Sequence, residues 1–186
     1  MISRKGLITG CGKGIGLAIA KKILKSEPNT LLIGISRTIN EEIEKLQREY
    51  HPRFLFYEVE INNYKSVDSI FKKFNDEYIA LDFAICNAGS RSRRSVLDSG
   101  IELYKSILEL NTIANINISK LLIENNLKKK KKLNLLFISS IVGSRGFDEL
   151  STYAVSKYAL EGFMKSAAIE YAKENIQINC IAPGFV

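Results

Sequence analysis

Tryptophan is absent, histidine occurs once, and proline and cysteine occur three times each among the 186 residues. The single histidine, His51, stands beside Pro52 at an expected turn, which rules out a multi-histidine metal site and a histidine-centred triad. Cys11, Cys86 and Cys180 are dispersed, odd in number and without metal-ligand spacing, so they read as small core or loop residues in a reducing compartment. No metal is expected. No apolar run approaches the roughly 18 residues of a membrane span, and the opening MISRKGLITG runs straight into a strand without the apolar core of a signal peptide. The expectation is a cytoplasmic chain with no membrane partner. Internal repeats and proline-rich linkers are also missing, so residues 1–186 read as one domain.

What is present in excess is positive charge, a formal net +7. Much of it sits in LKKKKKLN, Lys128 to Lys132, and in SRSRRS, with Arg91, Arg93 and Arg94. Neither cluster is interleaved with aromatics, so a stacking platform for nucleic acid is not expected. The lysine run reads as a solvated turn, and the overall balance favours an anionic small ligand. GLIT, TLLIGIS, RFLFYEVEI, LDFAIC, LNLLFISS and IQINCIA are short apolar runs of strand type. Between them, LAIAKKILK, INEEIEKLQREY, YKSVDSIFKKFNDEY, ELYKSILELNTIANINISKLLIENN and STYAVSKYALEGFMKSAAIEYAKEN have helical spacing. This alternation predicts an α/β fold, a doubly wound parallel sheet of six strands with helices on both faces.

Between the first strand and its helix lies T-G-C-G-K-G-I-G, Thr9 to Gly16. Gly10 permits a tight turn, Gly14 lets backbone approach a pyrophosphate, and Gly16 lets the helix sit close to the sheet. The helix N-terminus then offers amide donors to phosphates. The stretch lacks the G-K-[ST] ending of a P-loop, which argues against a triphosphatase. Further on, Tyr153 and Lys157 stand four apart at the start of a helix, on one face. Alone, that spacing describes a surface helix equally well. Its chemical reading is a proton-transfer pair, because a tyrosine with an ordinary pKa of about 10 is a poor acid at neutral pH until a nearby ammonium lowers it.

Four more stretches accompany these in order: C-N-A-G at Cys86 to Gly89, Asn111 in the long helix, S-S-I-V-G at Ser139 to Gly143, and Pro183–Gly184 after the sixth strand. Together with the glycine turn and Y-A-V-S-K at Tyr153 to Lys157, they cover nearly the whole chain. The set resembles the short-chain dehydrogenase/reductase family. Within it, the spacing and the APGF ending are similar to those of 3-oxoacyl-acyl-carrier-protein reductases. The resemblance implies a Rossmann-type fold, a nicotinamide cofactor, and reduction of a carbonyl to an alcohol by hydride transfer. It implies the catalytic set Asn111, Ser140, Tyr153 and Lys157. Tyr153 would donate and accept the proton, and Lys157 would tune it and bind the nicotinamide ribose. Ser140, in preference to Ser139, would hydrogen-bond the substrate oxygen. Asn111 would bend its helix and hold a water in a relay to Lys157. The cofactor would meet Thr9, Gly10, Gly12, Lys13, Gly14, Ile15 and Gly16 in the turn, Ser36 and Arg37 after the second strand, and Glu60 and Ile61 after the third. Asn87, Ala88, Gly89, Pro183 and Gly184 would complete the lining with Tyr153 and Lys157. Two positions depart from the family pattern: Cys86 replaces the first asparagine of N-N-A-G, and Glu60 replaces the aspartate that contacts adenine.

An acid closing the second strand would bind a ribose 2′-hydroxyl and repel a 2′-phosphate. This chain has Ser36 there, followed by Arg37, with Lys13 nearby. An arginine clamps phosphate bidentately, so NADP(H) is expected over NAD(H), and reduction over oxidation. The partner expected is a small carbonyl or alcohol, free or carrier-bound. SRSRRS either meets an anionic substrate or carrier, or is a solvated loop. Family members continue past Pro-Gly with a substrate-covering loop, helices and a seventh strand, so this chain is expected to be a fragment. The alternative is a truncated nucleotide-binding protein with little turnover. Family resemblance also implies a homodimer or homotetramer built on the helices around 100–127 and 151–174.

Overall fold

The computed structural model describes residues 2–77 and 79–184. At its centre β1 (Arg4–Thr9) pairs in parallel with β2 (Thr30–Ser36) on one side and β4 (Phe83–Cys86) on the other. β3 (Phe54–Glu58) extends the sheet beyond β2, and β5 (Leu133–Ile138) and β6 (Ile176–Ile181) extend it beyond β4. The order is β3-β2-β1-β4-β5-β6, parallel throughout. The winding reverses between β1 and β4, which opens a crevice at their carboxyl ends.

Short strands with continuous apolar sequence need cover on both faces. α1 (Gly14–Ser26) and α2 (Glu41–Glu49) cover one, burying Ala20, Leu24, Ile43 and Leu46 against Ile8, Leu32 and Phe54. Asn40 fixes the start of α2 by accepting from the Ile43 amide at 3.1 Å, with three glutamates in the first turn on the favourable end of the helix dipole. The other face is covered by α3 (Tyr64–Asp76), α5 (Ala114–Lys128) and α6 (Ser151–Tyr171). Their Phe71, Phe74, Ile118, Leu122 and Leu160 form one core with Leu7, Ile33 and Phe137. α4 (Ile101–Leu108) runs into α5 through a π-helical segment, Glu109–Ile113, centred on the buried Asn111. The bend expected at Asn111 is thus a local widening of the helix, the form that a single inserted residue takes.

Two expectations change. The third strand stops at Glu58, where its register with Ser36 ends, and the chain then turns, the Asn63 amide donating to Glu60 O at 2.9 Å. The lysine run is not wholly solvated: Lys129 Nζ reaches back to Ile79 O at 3.1 Å and ties the end of α5 to the loop after α3. Tyr78, in the third helical stretch, and Phe185 and Val186 of the APGFV ending lie outside the described residues. Cys11 and Cys86 are buried free thiols that burial pushes up to about 12, and Cys180 is half-buried. Among the described residues no helix is long and apolar enough to cross a membrane.

Candidate active site

A set of polar groups ties the strand ends together at the crevice. Thr9, the last residue of β1, is fully buried, and its Oγ1 accepts from the amides of Asn87 and Ala88, each at 3.0 Å. Asn87 returns two bonds from Nδ2, to Thr9 O at 3.1 Å and Gly10 O at 3.0 Å. These four bonds lock the ends of β1 and β4 together. Thr9 acts here as a brace, its hydroxyl committed and its surface wholly buried. A Cβ on Gly10 (φ +67°) would stand 2.8 Å from Ala88 Cα, and one on Gly16 would stand 2.3 Å from Gly10 O. Those two glycines are needed for close approach of backbone to backbone. Gly14 differs: at φ +56° its missing side chain would meet nothing within 4 Å, so its backbone faces open space. Lys13 occupies the N-cap of α1 without a side-chain cap, and no acid lies in the first turn. The first amides and the positive end of the helix dipole remain available to an anion.

Gly12 lies against the loop that follows β2, its carbonyl accepting from Asn40 Nδ2 at 2.8 Å, and a Cβ on it would stand 3.1 Å from Ser36 Oγ. From that loop Arg37 extends into solvent with its Nε 3.9 Å from Glu60 Oε1, so the two residues expected at opposite ends of an adenosine are neighbours. Ile61 is only 3% exposed, its side chain packed in the core with Val67 and Phe71.

The other wall carries the titratable groups. A cleft of about 270 Å³ is lined by Ile15, Asn87, Gly89 to Arg91, Ser139 to Val142, Tyr153, Lys157 and Pro183–Gly184, among others. Ser139 and Ser140 are separated by their partners. Ser139 Oγ, almost fully buried, donates to Glu161 Oε1 at 2.6 Å, whereas Ser140 Oγ accepts from the Val142 amide at 3.3 Å and acts on Tyr153, lowering its pKa. Lys157 is 4% exposed, donates to Ile138 O at 2.7 Å, and holds its Nζ 5.6 Å from the centre of the Tyr153 ring. Asn111 Oδ1 accepts from the Ser90 amide at 2.8 Å, and Nδ2 donates to Ser90 O at 2.8 Å and Ser156 Oγ at 2.9 Å. The Asn111 side chain thus fastens the loop after β4 to the π-helical turn and to α6.

Electrostatics departs from the expectation drawn from helical spacing. Burial raises the Tyr153 pKa, against the Ser140 hydrogen bond and the charge of Arg91, which lower it. Burial also lowers Lys157, to about 8, against the opposing charge of Glu161. Removing two neighbouring groups from water favours the neutral form of each. In the chain by itself, the cation that acts on the phenol is Arg91.

Arg91 and Asn115 are the site residues that sequence reading did not single out individually. Asn115 Nδ2 spans from Ala88 O at 3.1 Å to Leu110 O at 3.2 Å and Asn111 O at 3.0 Å, tying the loop after β4 to the widened helix. The available signal was two asparagines one turn apart on an apolar helix face. SRSRRS divides: Arg93 Nε binds Glu149 Oε2 at 2.8 Å, the Arg94 amide donates to Glu149 O at 2.8 Å, and Arg91 alone lines the cleft.

The sequence of the family described as short chain dehydrogenase matches residues 5–186. The chain is 28% identical over 187 aligned positions to 3-oxoacyl-[acyl-carrier-protein] reductase FabG of Chlamydia muridarum, spanning 100% of this chain and 75% of that protein. It is 29% identical to oxidoreductase UcpA of Salmonella typhimurium, over 100% of this chain and 70% of that one. Among solved structures, ElxO with NADP bound superposes with a TM-score of 0.89 at 28% identity, over 98% of this chain and 73% of that chain. 4-Hydroxyisoleucine dehydrogenase complexed with NADH and succinate gives 0.86 at 26%, over 96% and 78%. The family match begins inside β1 and takes in both walls of the crevice, and on that ground the chain belongs to the short-chain dehydrogenase family.

Proposed function

We propose that this chain is an NADP(H)-dependent oxidoreductase that reduces a carbonyl to an alcohol, with Tyr153 as proton donor. The observation that carries this reading is the meeting of Ser140, Tyr153 and Lys157 in one cleft with Ile15, at the open N-terminus of α1. Proton chemistry and an anion-binding backbone share a crevice. Lys13 and Arg37, with Ser36 at the end of β2, suit a 2′-phosphate. The pair that Arg37 makes with Glu60 is long and exposed, so it is readily exchanged for a phosphate. When bound, the nicotinamide supplies the hydride.

The chain's own groups do the rest. Ser140 Oγ and the Tyr153 hydroxyl present two hydrogen-bonding oxygens side by side, where a substrate oxygen would be held. Burial keeps the phenol protonated, which suits it to donate as negative charge develops on that oxygen. Lys157, anchored on Ile138 O, stands beside the ring to stabilise the phenolate left behind. Thr9, Asn87, Asn111 and Asn115 fix the backbone from which these groups project. Exposed apolar residues on α4 and α6, Ile101, Val155, Tyr158 and Ile169, support association between copies.

Fluorescence titration with NADPH and NADH tests the cofactor, with Arg37→Ala alongside. Arg37→Ala is expected to weaken NADPH by about tenfold, the worth of a charged hydrogen bond, and to leave NADH unchanged. An equal loss for both nucleotides would contradict the assignment of Arg37. A carbonyl panel follows, including a carrier-bound 3-oxoacyl group because the FabG relatives are named for it. Nucleotide binding with no turnover of any carbonyl would favour the nucleotide-binding alternative.

A further inference from the structure

Arg91 and Ile15 line both the Tyr153 cleft and the adjoining apolar hollow along α1. The cleft wall holds two cations, Arg91 and Lys157, and among its described lining residues there is no carboxylate. Lys157 is buried, with its ammonium on Ile138 O. Arg91 is exposed, and among the described residues it pairs with no acid, while its neighbour Arg93 is neutralised by Glu149. It also projects from a fixed base, since both backbone groups of Ser90 are bonded to the buried Asn111 side chain. A guanidinium stays charged at every working pH and presents a planar fork that matches a carboxylate. The small cleft and its apolar Ile141, Val142 and Leu150 suit a compact molecule with one charged end.

Resting on the reductase reading above, we propose that Arg91 recognises the substrate's anion, so that the carbonyl compound reduced is an oxo acid with a carboxylate a few bonds from the reacting carbon. The reaction balances as oxo acid, NADPH and a proton giving hydroxy acid and NADP⁺. The carbonyl π bond breaks, the carbon gains the hydride, the oxygen gains the Tyr153 proton, and the carboxylate passes through unchanged. A thioester beside the carbonyl, as on a carrier-bound acyl group, presents no such charge.

The test is equilibrium binding, by calorimetry, of acetoacetate and levulinate against acetoacetamide and levulinamide. It uses the NADPH-loaded chain carrying Tyr153→Phe, in which the proton donor is absent. At least one acid is expected to bind about tenfold tighter than its amide. Adding Arg91→Ala should erase that preference, and adding Arg93→Ala should keep it. Equal binding of acids and amides would overturn the proposal. So would an Arg91→Ala that weakens NADPH and leaves the acid preference intact, because Arg91 would then serve the nucleotide. Should NADPH not bind, the same comparison on the nucleotide-free chain separates the two readings: a persisting, Arg91-dependent acid preference supports the anion site while removing the cofactor assignment, and its absence overturns the anion site.

Discussion

The two walls of the crevice are built on opposite principles. At the seam of β1 and β4, neutral groups are buried and charges are outside. Thr9 and Asn87 bond to each other and to the backbone of Gly10 and Ala88, glycines bring backbone against backbone, and Lys13, Arg37 and Glu60 stand in solvent. Along β5 and α6, the ionisable groups are themselves buried. Lys157 sits at 4% exposure and Tyr153 is held in its protonated form. The first wall depends on shape, so damage there falls on folding and nucleotide affinity together. The second stores desolvated chemistry, and damage there falls on turnover while the fold stands.

The sharpest way to expose that contrast is Lys157→Met. Turnover should fall by about a hundredfold or more, and the pH dependence of stability should change in a defined sense. Folded Lys157 holds its proton only to about pH 8, and the unfolded chain's lysine holds it to 10.5. Between those values the unfolded state binds more protons, so stability rises with pH in that window and is depressed, at a constant cost, below it. Denaturant melts from pH 7 to 9 should show the rise in the parent chain and its loss in Lys157→Met. Above 9 the buried thiols of Cys11 and Cys86, raised from 9.0 to about 12, act oppositely, and Tyr153 joins them above 10, which closes the window.

On the other wall, Gly16→Ala places a methyl 2.3 Å from Gly10 O. It should lower stability by about 1–3 kcal/mol, the cost of overpacking, and weaken both nucleotides. A variant that kept full stability would break the comparison by making the seam compliant. Asn87→Ala removes the two side-chain bonds to Thr9 O and Gly10 O, and about 1–3 kcal/mol should be lost for the polar groups left unpaired. Thermal unfolding measures both. The smallest effect on stability belongs to Arg37→Ala, since its ion pair is exposed and 3.9 Å long. The melting temperature should stay unchanged while NADPH selectivity drops.

The strands and their order along the chain were legible because each is a short apolar run bounded by turn residues, and TLLIGIS became β2 residue for residue. The glycine turn was legible because its glycines have separate steric reasons. What sequence could not give was which groups meet across long separations. Ser139 and Ser140 are adjacent, yet only the fold sends one to Glu161 and the other to Tyr153. Nothing local marks Arg91 as the cleft-facing member of its cluster, because the acid that takes Arg93 lies 56 residues away. The direction of the Tyr153 shift in the chain by itself differs from the expectation for a related reason. Helical spacing places Lys157 beside the phenol, but the degree to which both lose water is a property of the packed chain.

The most direct test of the account mixes the NADPH-loaded chain with its best carbonyl substrate and follows loss of NADPH absorbance in a single turnover, for the parent chain and for Tyr153→Phe. The account predicts oxidation by the parent and a rate about a hundredfold or more lower in Tyr153→Phe with NADPH affinity retained. Equal rates in the two chains would contradict Tyr153 as the proton donor, and with it the division of labour between the two walls.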